Sequence, residues 1–467
     1  SLFDAEGRLL SSAFAGYQTH YPRPGWAEQE PEDWWRALCQ STTQLLVQSG
    51  RAAEDIAAIA FSGEMMSCLP VDVQGAPLRS AIIWADQRAA AEADLMAARI
   101  GWETVYRITG HRAGPNYTAP KIVWLRQHQP DVLLRAHKVL QAKDYLAFRL
   151  TGTYATDYSD ASGTLLFDLS GRCWSESILE ALDIPAGLLP EAWPSATVVG
   201  TVTRRAAEVT GLAEGTPVVI GGGDGGCATV GAGVVRPGDA YNYIGSSSWI
   251  SFVSSEPLYD PQQRTFTFAH PDPAYVFPTG TMQCAGGSYD WLERILRGAA
   301  KEPLYRALDT LAAGVEPGAQ GLFFLPYLIG ERSPHWNPKA RAAFVGLSMA
   351  HGRAEMTRAV MEGVAYNLRL ILDAFREQGA PITALRLIGG GARSAVWRQI
   401  LADVLNVPIL RPKLLVEATS LGAAIAGGVG AGLYTDYTVA DRLIAVETGE
   451  EPQPGAAARY EELYALF

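Results

Sequence analysis

One short segment constrains the fold of this chain more than any other. Residues 217–220, PVVI, are apolar and mostly β-branched and predict a buried strand, which Gly221, Gly222 and Gly223 break sharply. The small residues that follow Asp224 predict a tight helix or loop. Similar short strands alternate with helical segments along the chain, and this alternation favours an α/β architecture.

The predicted elements fall into two halves of similar length. Strands are expected at 56–61, 81–84, 218–220, 241–244, 321–325 and 385–388, and helices at 31–49, 89–98, 356–377 and 396–405. Breaks rich in proline or glycine lie at 185–194 and 236–239. The second break is interpreted as the boundary between an N-terminal domain, 1–238, and a C-terminal domain, 239–467. Glycines follow strands in both halves, so their loops could converge on one cleft.

Asp224 has three readings from its own segment. Gly221, Gly223 and Gly226 satisfy the G-x-G-x-x-G pattern of dinucleotide-binding loops. An ionised carboxylate inside that loop would repel a pyrophosphate, whereas glycines around it leave room for a substrate hydroxyl. A base that takes a proton from a hydroxyl during phosphoryl transfer fits this position. The third reading is an aspartate that caps the following helix.

Composition narrows the class of protein. The chain has 467 residues, 48% of them hydrophobic and 19% charged, which predicts a soluble globular protein of two or three domains. Its net charge of -11 argues against nucleic acid or an anionic membrane as the main partner. The five cysteines are widely spaced and form no C-x-x-C pair, so reduced thiols in the cytoplasm are expected.

Four further segments offer polar or small groups after a strand. Residues 245–248, GSSS, and 387–394, LIGGGARS, suit a phosphate or a nucleotide, or serve as an ordinary turn and tight packing. Met65 and Met66 could contact a small ligand or fill the core. The cluster Trp84, Asp86 and Arg88 could be functional or contain a surface ion pair. Scattered histidines make a tightly held zinc ion unlikely from the sequence.

Together the motifs resemble those of a known family, the FGGY carbohydrate kinases, and within it the xylulokinases. The resemblance runs through nearly the whole chain in order: GWAEQ at 25–29, FSGEMM at 61–66, IIWADQR at 82–88, YTAPKIVWLRQH at 117–128, KDY at 143–145, TDYSDASG at 156–163, GGGDGG at 221–226, GSSS, FLPYLIGERSPHWNP at 324–338, LIGGGARSAVWRQILAD at 387–403 and EATSLGAA at 417–424. The most specific match is AAFVGLSMAHGRAEMTRAVME at 342–362, which resembles the C-terminal signature of the family.

This resemblance implies two ribonuclease H-like lobes around a cleft, the α/β fold of the actin and hexokinase ATPases. It implies transfer of the γ-phosphate of ATP, with Mg²⁺, to a hydroxyl of a ketopentose, of which D-xylulose is the expected one. Asp224 aligns with the catalytic base of the family. The other implied contacts are with the sugar, at Met65, Met66 and Trp84, and with the nucleotide, at Ser246, Gly286, Asp290, Gly390 and Ser394. Metal ligands are not assigned, and the oligomeric state stays open, a homodimer included.

Three departures from the xylulokinase pattern bear on this expectation. Glu64-Met65-Met66-Ser67 stands where Gln-Met-His-Gly is typical, and Gly225 stands where bacterial xylulokinases carry Asn. The first phosphate loop of the family, an Asp-Gly-Thr hairpin that helps hold magnesium, is expected directly before Ser1, so the chain is interpreted as missing its first hairpin. Ribulose, gluconate or glycerol kinases of the same family, a non-catalytic sugar or nucleotide sensor, and a dehydrogenase built on GGGDGG are the alternatives.

Overall fold

The computed structural model of the protein describes residues 1–298, 302–413 and 417–467. Its strands, in chain order, are β1 Leu2–Phe3, β2 Leu9–Ser11, β3 Glu28–Gln29, β4 Ile59–Gly63, β5 Leu69–Val71, β6 Ala81–Ile82, β7 Lys138–Leu140, β8 Ala155–Asp157, β9 Phe167–Asp168, β10 Cys173–Trp174, β11 Glu191–Trp193, β12 Val198–Thr201, β13 Pro217–Gly223, β14 Ala240–Ile244, β15 Ser248–Phe252, β16 Phe266–Ala269, β17 Val276–Met282, β18 Phe323–Leu325, β19 Ala343–Val345, β20 Leu385–Ile388, β21 Ile409–Pro412 and β22 Val446–Glu450.

The helices pack around these strands. They are α1 Pro31–Ser49, α2 Ala90–Ile100, α3 Trp102–Thr109, α4 Thr118–His128, α5 Pro130–Arg135, α6 Ala142–Thr151, α7 Tyr158–Ser162, α8 Glu176–Ala181, α9 Arg204–Thr210, α10 Asp224–Gly231, α11 Gly286–Arg297, α12 Tyr305–Ala313, α13 Arg353–Glu377, α14 Ala395–Leu405, α15 Ala418–Gly430, α16 Ala440–Leu443 and α17 Pro454–Tyr464. Short 3₁₀ turns lie at Ala53–Asp55, Ala186–Leu188, Ala319–Gly321, Gly390–Arg393 and Tyr437–Val439.

The C-terminal half is built on a twisted sheet with α13 and α14 on one face. Within the described residues this sheet has the order β16-β17-β15-β14-β20-β21-β22. Strands β14, β15 and β17 form an antiparallel meander, and β20 and β21 run parallel to β14. Helix α13 buries a continuous apolar face against this sheet. The strand ends of β14 and β20 therefore open at the same edge, where their glycine loops follow.

The N-terminal half places its central strand β13 between β12 and β4, antiparallel to the first and parallel to the second. The pairing of β13 with β4 shifts register between Val219 and Gly222. Gly221 makes this irregularity feasible because its φ is +67° and a Cβ there would lie 2.0 Å from the Phe61 carbonyl oxygen. This β-bulge changes the direction of the last residues of β13, which lead to Asp224.

Helices α10 and α15 cross in very close contact, although they lie far apart in sequence. A Cβ on Gly231 would lie 1.7 Å from the Ala418 carbonyl oxygen, and one on Gly422 would lie 1.9 Å from that of Cys227. Only glycine permits this distance between the two backbones. Helix α15 also covers β4 and β13, so a helix encoded near the end of the chain completes the core of the N-terminal half.

Most predicted elements are present, with shifted ends. The predicted helix 31–49 coincides with α1, which Pro31 begins and Gly50, with φ of +64°, ends. The strand predicted at 56–61 starts later, at Ile59, because a 3₁₀ turn occupies Ala53–Asp55. The interpretation of 185–194 as a plain connection was wrong, since it contains β11, which pairs with β8.

Candidate active site

Two carboxyl groups leave the N-terminal sheet side by side. Strand β4 ends at Gly63 and is followed by Glu64, and β13 ends at Gly223 and is followed by Asp224. Gly63 and Gly223 are partners in the parallel ladder. Because the carboxyl ends of adjacent parallel strands meet at one edge of a sheet, both acidic side chains point into the same opening.

Asp224 is the first residue of α10, and the position before it in the helix start is Gly223. Its Oδ1 accepts the amide of Gly225 at 2.8 Å, so the side chain does not cap the helix two or three residues on, as a capping aspartate would. The side chain is exposed at the mouth of the cavity, while the protein atoms around the carboxyl group on its other sides reduce its contact with water. This burial raises its pKa to about 6, against the opposing effect of the backbone amides.

Glu64 forms the second acidic group of the site. Burial raises the pKa of Glu64 to about 7. The nearby charge of Asp224 contributes to this rise, and a hydrogen bond from Ser67 opposes it. The Ser67 hydroxyl donates to Oε1 at 3.2 Å. Two neighbouring carboxyls with different pKa values can hold one proton between them near neutral pH.

A cavity of about 200 Å³ lies in front of these two groups, a volume suited to a small polar molecule. The three residues expected to contact a sugar all line it: Met65, Met66 and Trp84. Its remaining walls are Asn116, Gly225, Ser247, Trp249, Ser251, Phe266, Phe268, Phe277, Thr279, Thr281 and Arg332. Aromatic faces mixed with hydroxyl groups are the usual lining of a carbohydrate-sized site.

A buried lysine fixes three segments of this wall. The Lys121 ammonium donates to the carbonyl oxygens of Met66 at 2.8 Å, Ile83 at 2.8 Å and Asn116 at 2.6 Å. Those residues belong to the segments that present Met66, Trp84 and Asn116 to the cavity. Burial lowers the pKa of Lys121 to about 7, and its three bonds use every donor of the ammonium.

The cluster after β6 is not a surface ion pair, which corrects one alternative from the sequence. Trp84 faces the cavity, while Asp86 and Arg88 are buried behind it. The Arg88 guanidinium lies 2.7 Å from Asp86 and 3.7 Å from the ring centre of Trp26. The pair holds the segment that carries Trp84 and does not itself reach the cavity.

A second, larger cavity of about 780 Å³ lies against the C-terminal sheet. All five residues expected to contact a nucleotide line it: Ser246, Gly286, Asp290, Gly390 and Ser394. They lie in the three segments that follow β14, β17 and β20, with Gly286 and Asp290 in the first turns of α11. Its walls also include Tyr289, Tyr305, Arg306, Arg393 and Trp397.

Close backbone contacts shape the larger cavity. A Cβ on Gly286 would lie 2.2 Å from the Gly245 carbonyl oxygen, so this glycine lets the two loops touch. The Gly286 amide donates to that oxygen at 2.9 Å, which leaves it engaged within the protein. Ser394 accepts the Trp397 amide at 3.2 Å and caps α14, and Asp290 accepts the hydroxyl of Tyr305 at 2.9 Å.

The turn after β14 joins the two cavities. Gly245 and Ser246 line the larger one, and the next residue, Ser247, lines the smaller one beside Asp224. Residues from both halves of the chain thus meet at one site, as the glycine loops predicted.

The carboxyl groups do not form a ready metal cage. Across residues 1–298, 302–413 and 417–467, no group of three or more histidine, cysteine or acidic side chains could hold a metal ion. Mg²⁺ is commonly bound by one or two carboxylates together with nucleotide phosphates and water. Phosphates and water would therefore supply most of the ligands of such an ion.

Several lining residues were not found from the sequence. Asn116, Trp249 and Arg332 come from different parts of the chain and carry no local pattern. Trp249 follows the GSSS turn directly, so its nearness to a predicted loop was the one available signal. Arg332 lies within GERSP at 330–334, a segment that resembles the family but whose residues carry no predicted contact with sugar or nucleotide.

Comparison with known proteins identifies the class to which this fold and site belong. The model of the N-terminal domain of the FGGY family of carbohydrate kinases matches residues 1–231, and that of the C-terminal domain matches residues 240–431. The chain belongs to the FGGY family of carbohydrate kinases. It is a phosphotransferase that uses ATP, which confirms the enzyme class expected from the motifs and excludes the dehydrogenase alternative.

The most similar relatives include xylulose kinases. The chain is 37% identical to xylulose kinase of Escherichia coli over 403 residues, 86% of this chain and 81% of that protein. Solved structures of a ligand-bound xylulose kinase and of a gluconate kinase, both from Lactobacillus acidophilus, each match with a TM-score of 0.92 at 28% identity, over 99% of this chain and 93% of the other. These matches confirm the two-lobed α/β fold. None of the described helices has the length and hydropathy to span a bilayer.

Proposed function

We propose that this protein phosphorylates a ketopentose, D-xylulose, with Asp224 as the catalytic base. The observation that carries the proposal is that Asp224 lines a sugar-sized cavity whose wall includes Ser247, while the preceding residues Gly245 and Ser246 line a nucleotide-sized one. A single carboxylate there can accept a proton from a hydroxyl that faces the larger cavity. The identity to xylulose kinases supports the choice of sugar.

Each wall then has a defined task. The aromatic and thioether side chains of Met65, Met66 and Trp84 pack on the carbon skeleton of the sugar, while Ser247 and Asn116 are near enough to its hydroxyls to orient them. Asp224 is mostly ionised at pH 7 because its pKa lies near 6, so it can take the proton as the hydroxyl attacks. Exclusion of water by the cavity walls keeps the phosphate from hydrolysis.

The nucleotide is assigned to the larger cavity. We assign its contacts to Ser246, Gly286, Asp290, Gly390 and Ser394, all of which line this cavity. A Cβ on Gly390 would meet nothing within 4 Å, so the loop leaves open space for a ligand. Mg²⁺ would neutralise phosphate charge when bound together with the nucleotide. The five unpaired cysteines support a reducing, cytoplasmic setting.

Gluconate is the second candidate substrate, because Arg332 lines the sugar cavity. Its Nε has no hydrogen-bond partner among the described residues, and a guanidinium is the group that best pairs with a carboxylate. Glu64 and Asp224 oppose such an anion at the other side of the cavity. The similarity of the fold to that of a gluconate kinase also supports gluconate as the second candidate.

The test is ADP release by the purified protein with D-xylulose, D-ribulose, gluconate or glycerol. We expect D-xylulose to give the highest kcat/KM, and Asp224→Asn to lower kcat by about 10²–10⁴-fold, the usual contribution of a general base. Asp94→Asn, on the exposed face of α2, is the matched control. A preference for gluconate would transfer the proposal to the second candidate. Sugar binding without ADP release would identify a sensor instead.

A further inference from the structure

A cluster of buried charges lies beneath the turn that carries Asp224. The Lys143 ammonium is 2.6 Å from Asp144, 2.9 Å from Asp157 and 3.5 Å from Asp160, and none of these side chains is more than 1% exposed. One cation faces three carboxyl groups, and burial with the neighbouring carboxylates raises the pKa of Asp160 well above its usual range. Such a cluster is expensive to bury, which calls for a role beyond packing.

Asp157 links this cluster to two serines. Its Oδ2 accepts the hydroxyl of Ser159 at 2.5 Å and that of Ser195 at 2.6 Å, while its Oδ1 faces Lys143. The two serines are equally buried, at 0% exposure. The Ser159 hydroxyl, unlike that of Ser195, also accepts a hydrogen bond from the amide of Gly223, at 2.9 Å.

Gly223 is the residue before Asp224, so this bond reaches the backbone of the reactive turn. A hydroxyl that donates to a carboxylate is a better acceptor, because each bond in the chain polarises the next. The sequence of contacts is Lys143, Asp157, Ser159 and then the Gly223 amide. It fixes the Gly222–Gly223 peptide, which immediately precedes the residue bonded to Asp224.

Two of the glycines near Asp224 leave room for the side chain of Ser159. A Cβ on Gly222 would lie 3.0 Å from the Ser159 hydroxyl oxygen, and one on Gly226 would lie 3.2 Å from its Cβ. Side chains at these two positions would push Ser159 away from the turn. The glycines therefore do more than admit a sugar hydroxyl: they let Ser159 reach the strand end.

We propose that Ser159 is a positioning residue for Asp224, holding the Gly222–Gly223 peptide, and through Gly223 the start of the turn that carries Asp224, in the orientation that phosphoryl transfer needs, with Lys143 and Asp157 as its support. This inference rests on the proposed role of Asp224 as the base. A base displaced by a fraction of an ångström loses much of its rate advantage while the substrate still binds. Loss of the Ser159 hydroxyl is therefore expected to lower kcat and to leave the KM for sugar nearly unchanged.

Ser159→Ala and Ser195→Ala make a matched pair, since each removes one buried hydroxyl from the same carboxylate oxygen. We expect Ser159→Ala to lower kcat about tenfold or more, with the KM values for D-xylulose and ATP within about twofold. Ser195→Ala is expected to keep kcat within about twofold of the wild type. Equal kcat in the two variants, or a loss in Ser159→Ala that appears in KM, overturns the proposal.

Thermal unfolding of both variants separates positioning from loss of fold. If Ser159→Ala does not fold, Ser159→Cys keeps a weak donor and acceptor, and we expect it to lower kcat at least threefold with the dissociation constant for D-xylulose within about twofold. A wild-type kcat in Ser159→Cys contradicts the proposal. Asp224→Asn is measured in parallel: if it stays active, the assigned base is wrong, whereas an inactive Asp224→Asn beside an unaffected Ser159→Ala refutes only the role of Ser159.

Discussion

At the scale of single residues, the titration of Asp224 sets the lower pH limit of activity. Burial raises its pKa to about 6, and a protonated carboxyl cannot accept the proton of the sugar. We expect kcat/KM to fall about tenfold per pH unit below pH 6 and to level off above it. The measurement is ADP release between pH 5 and 8.5. A profile that stays flat down to pH 4.5 would rule out a base in this environment.

Glu64 has a separate effect on stability. Its pKa is about 4.5 in an unfolded chain and about 7 in the folded one. The unfolded state therefore loses its proton first as pH rises, and the folded protein loses stability between pH 4.5 and 7. We expect Glu64→Gln to raise the free energy of unfolding by roughly 2 kcal/mol at pH 8.

The same variant should show little difference from the wild type at pH 4, where the carboxyl is protonated in both states. Denaturant titrations at the two pH values measure this, with Glu214→Gln at an exposed site as the control. A stabilisation of equal size at both pH values would assign the effect to something other than the charge of Glu64.

The sequence allowed the residues that follow strands to be predicted better than the residues that only tertiary packing brings near. Asp224 and Ser246 sit in glycine-rich loops directly after apolar runs, so local pattern and family resemblance agreed on them. Lys121 and Arg332 could not be found in this way. Lys121 binds three carbonyl oxygens from separate segments, and such a convergence leaves no trace in local spacing.

At the scale of elements, Lys121 holds three segments of the sugar cavity from its position in α4. Lys121→Met leaves three buried carbonyl oxygens without their donor, which should cost about 3 kcal/mol or more. We expect a lower Tm and a higher KM for sugar, with the KM for ATP unchanged. Lys138→Met is the control, because Lys138 also donates to two carbonyl oxygens, of Gly187 and Leu189, away from the cavities. An equal rise in the sugar KM for both variants would contradict the role of Lys121 in holding the three segments of the sugar cavity.

The crossing of α10 and α15 depends on glycine. A Cβ on Gly422 would overlap the Cys227 carbonyl oxygen, and the two backbones would have to separate. We expect Gly422→Ala to destabilise the protein by about 2 kcal/mol or more. Gly455→Ala, in α17 where a Cβ meets nothing within 4 Å, should be neutral or slightly stabilising. Thermal unfolding compares them, and similar Tm values would show that the helices can move apart freely.

Element types were easier to predict than their partners. Helix α13 was expected at 356–377 and begins at Arg353, because Glu355 accepts the Gly352 amide at 2.8 Å and extends the first turn. Strand β11 was missed because its three residues are stabilised by pairing with β8, more than thirty residues earlier. The short strand has no apolar alternation of its own.

At the scale of the whole molecule, the N-terminal half lacks part of its core without the end of the chain. Val230 and Val235 pack in one cluster with Leu421, Ile425 and residues as far on as Ile444. We therefore expect the fragment 1–238 to lack a cooperative unfolding transition, and the intact chain to unfold in one main transition. Calorimetry and near-ultraviolet circular dichroism measure both. A fragment that unfolds sharply near the Tm of the full chain would show that α15 is dispensable.

The contact between α10 and α15 also governs the order of events while the protein is being made. About 190 residues separate Gly231 from Ala418, and closing so long a loop is slow. The ribosome releases β13, the strand that precedes Asp224, long before it releases α15, the helix that packs on it. During that interval the apolar side of β13 is exposed to other nascent chains, so chaperone demand and aggregation should depend on how fast the C-terminal half is translated.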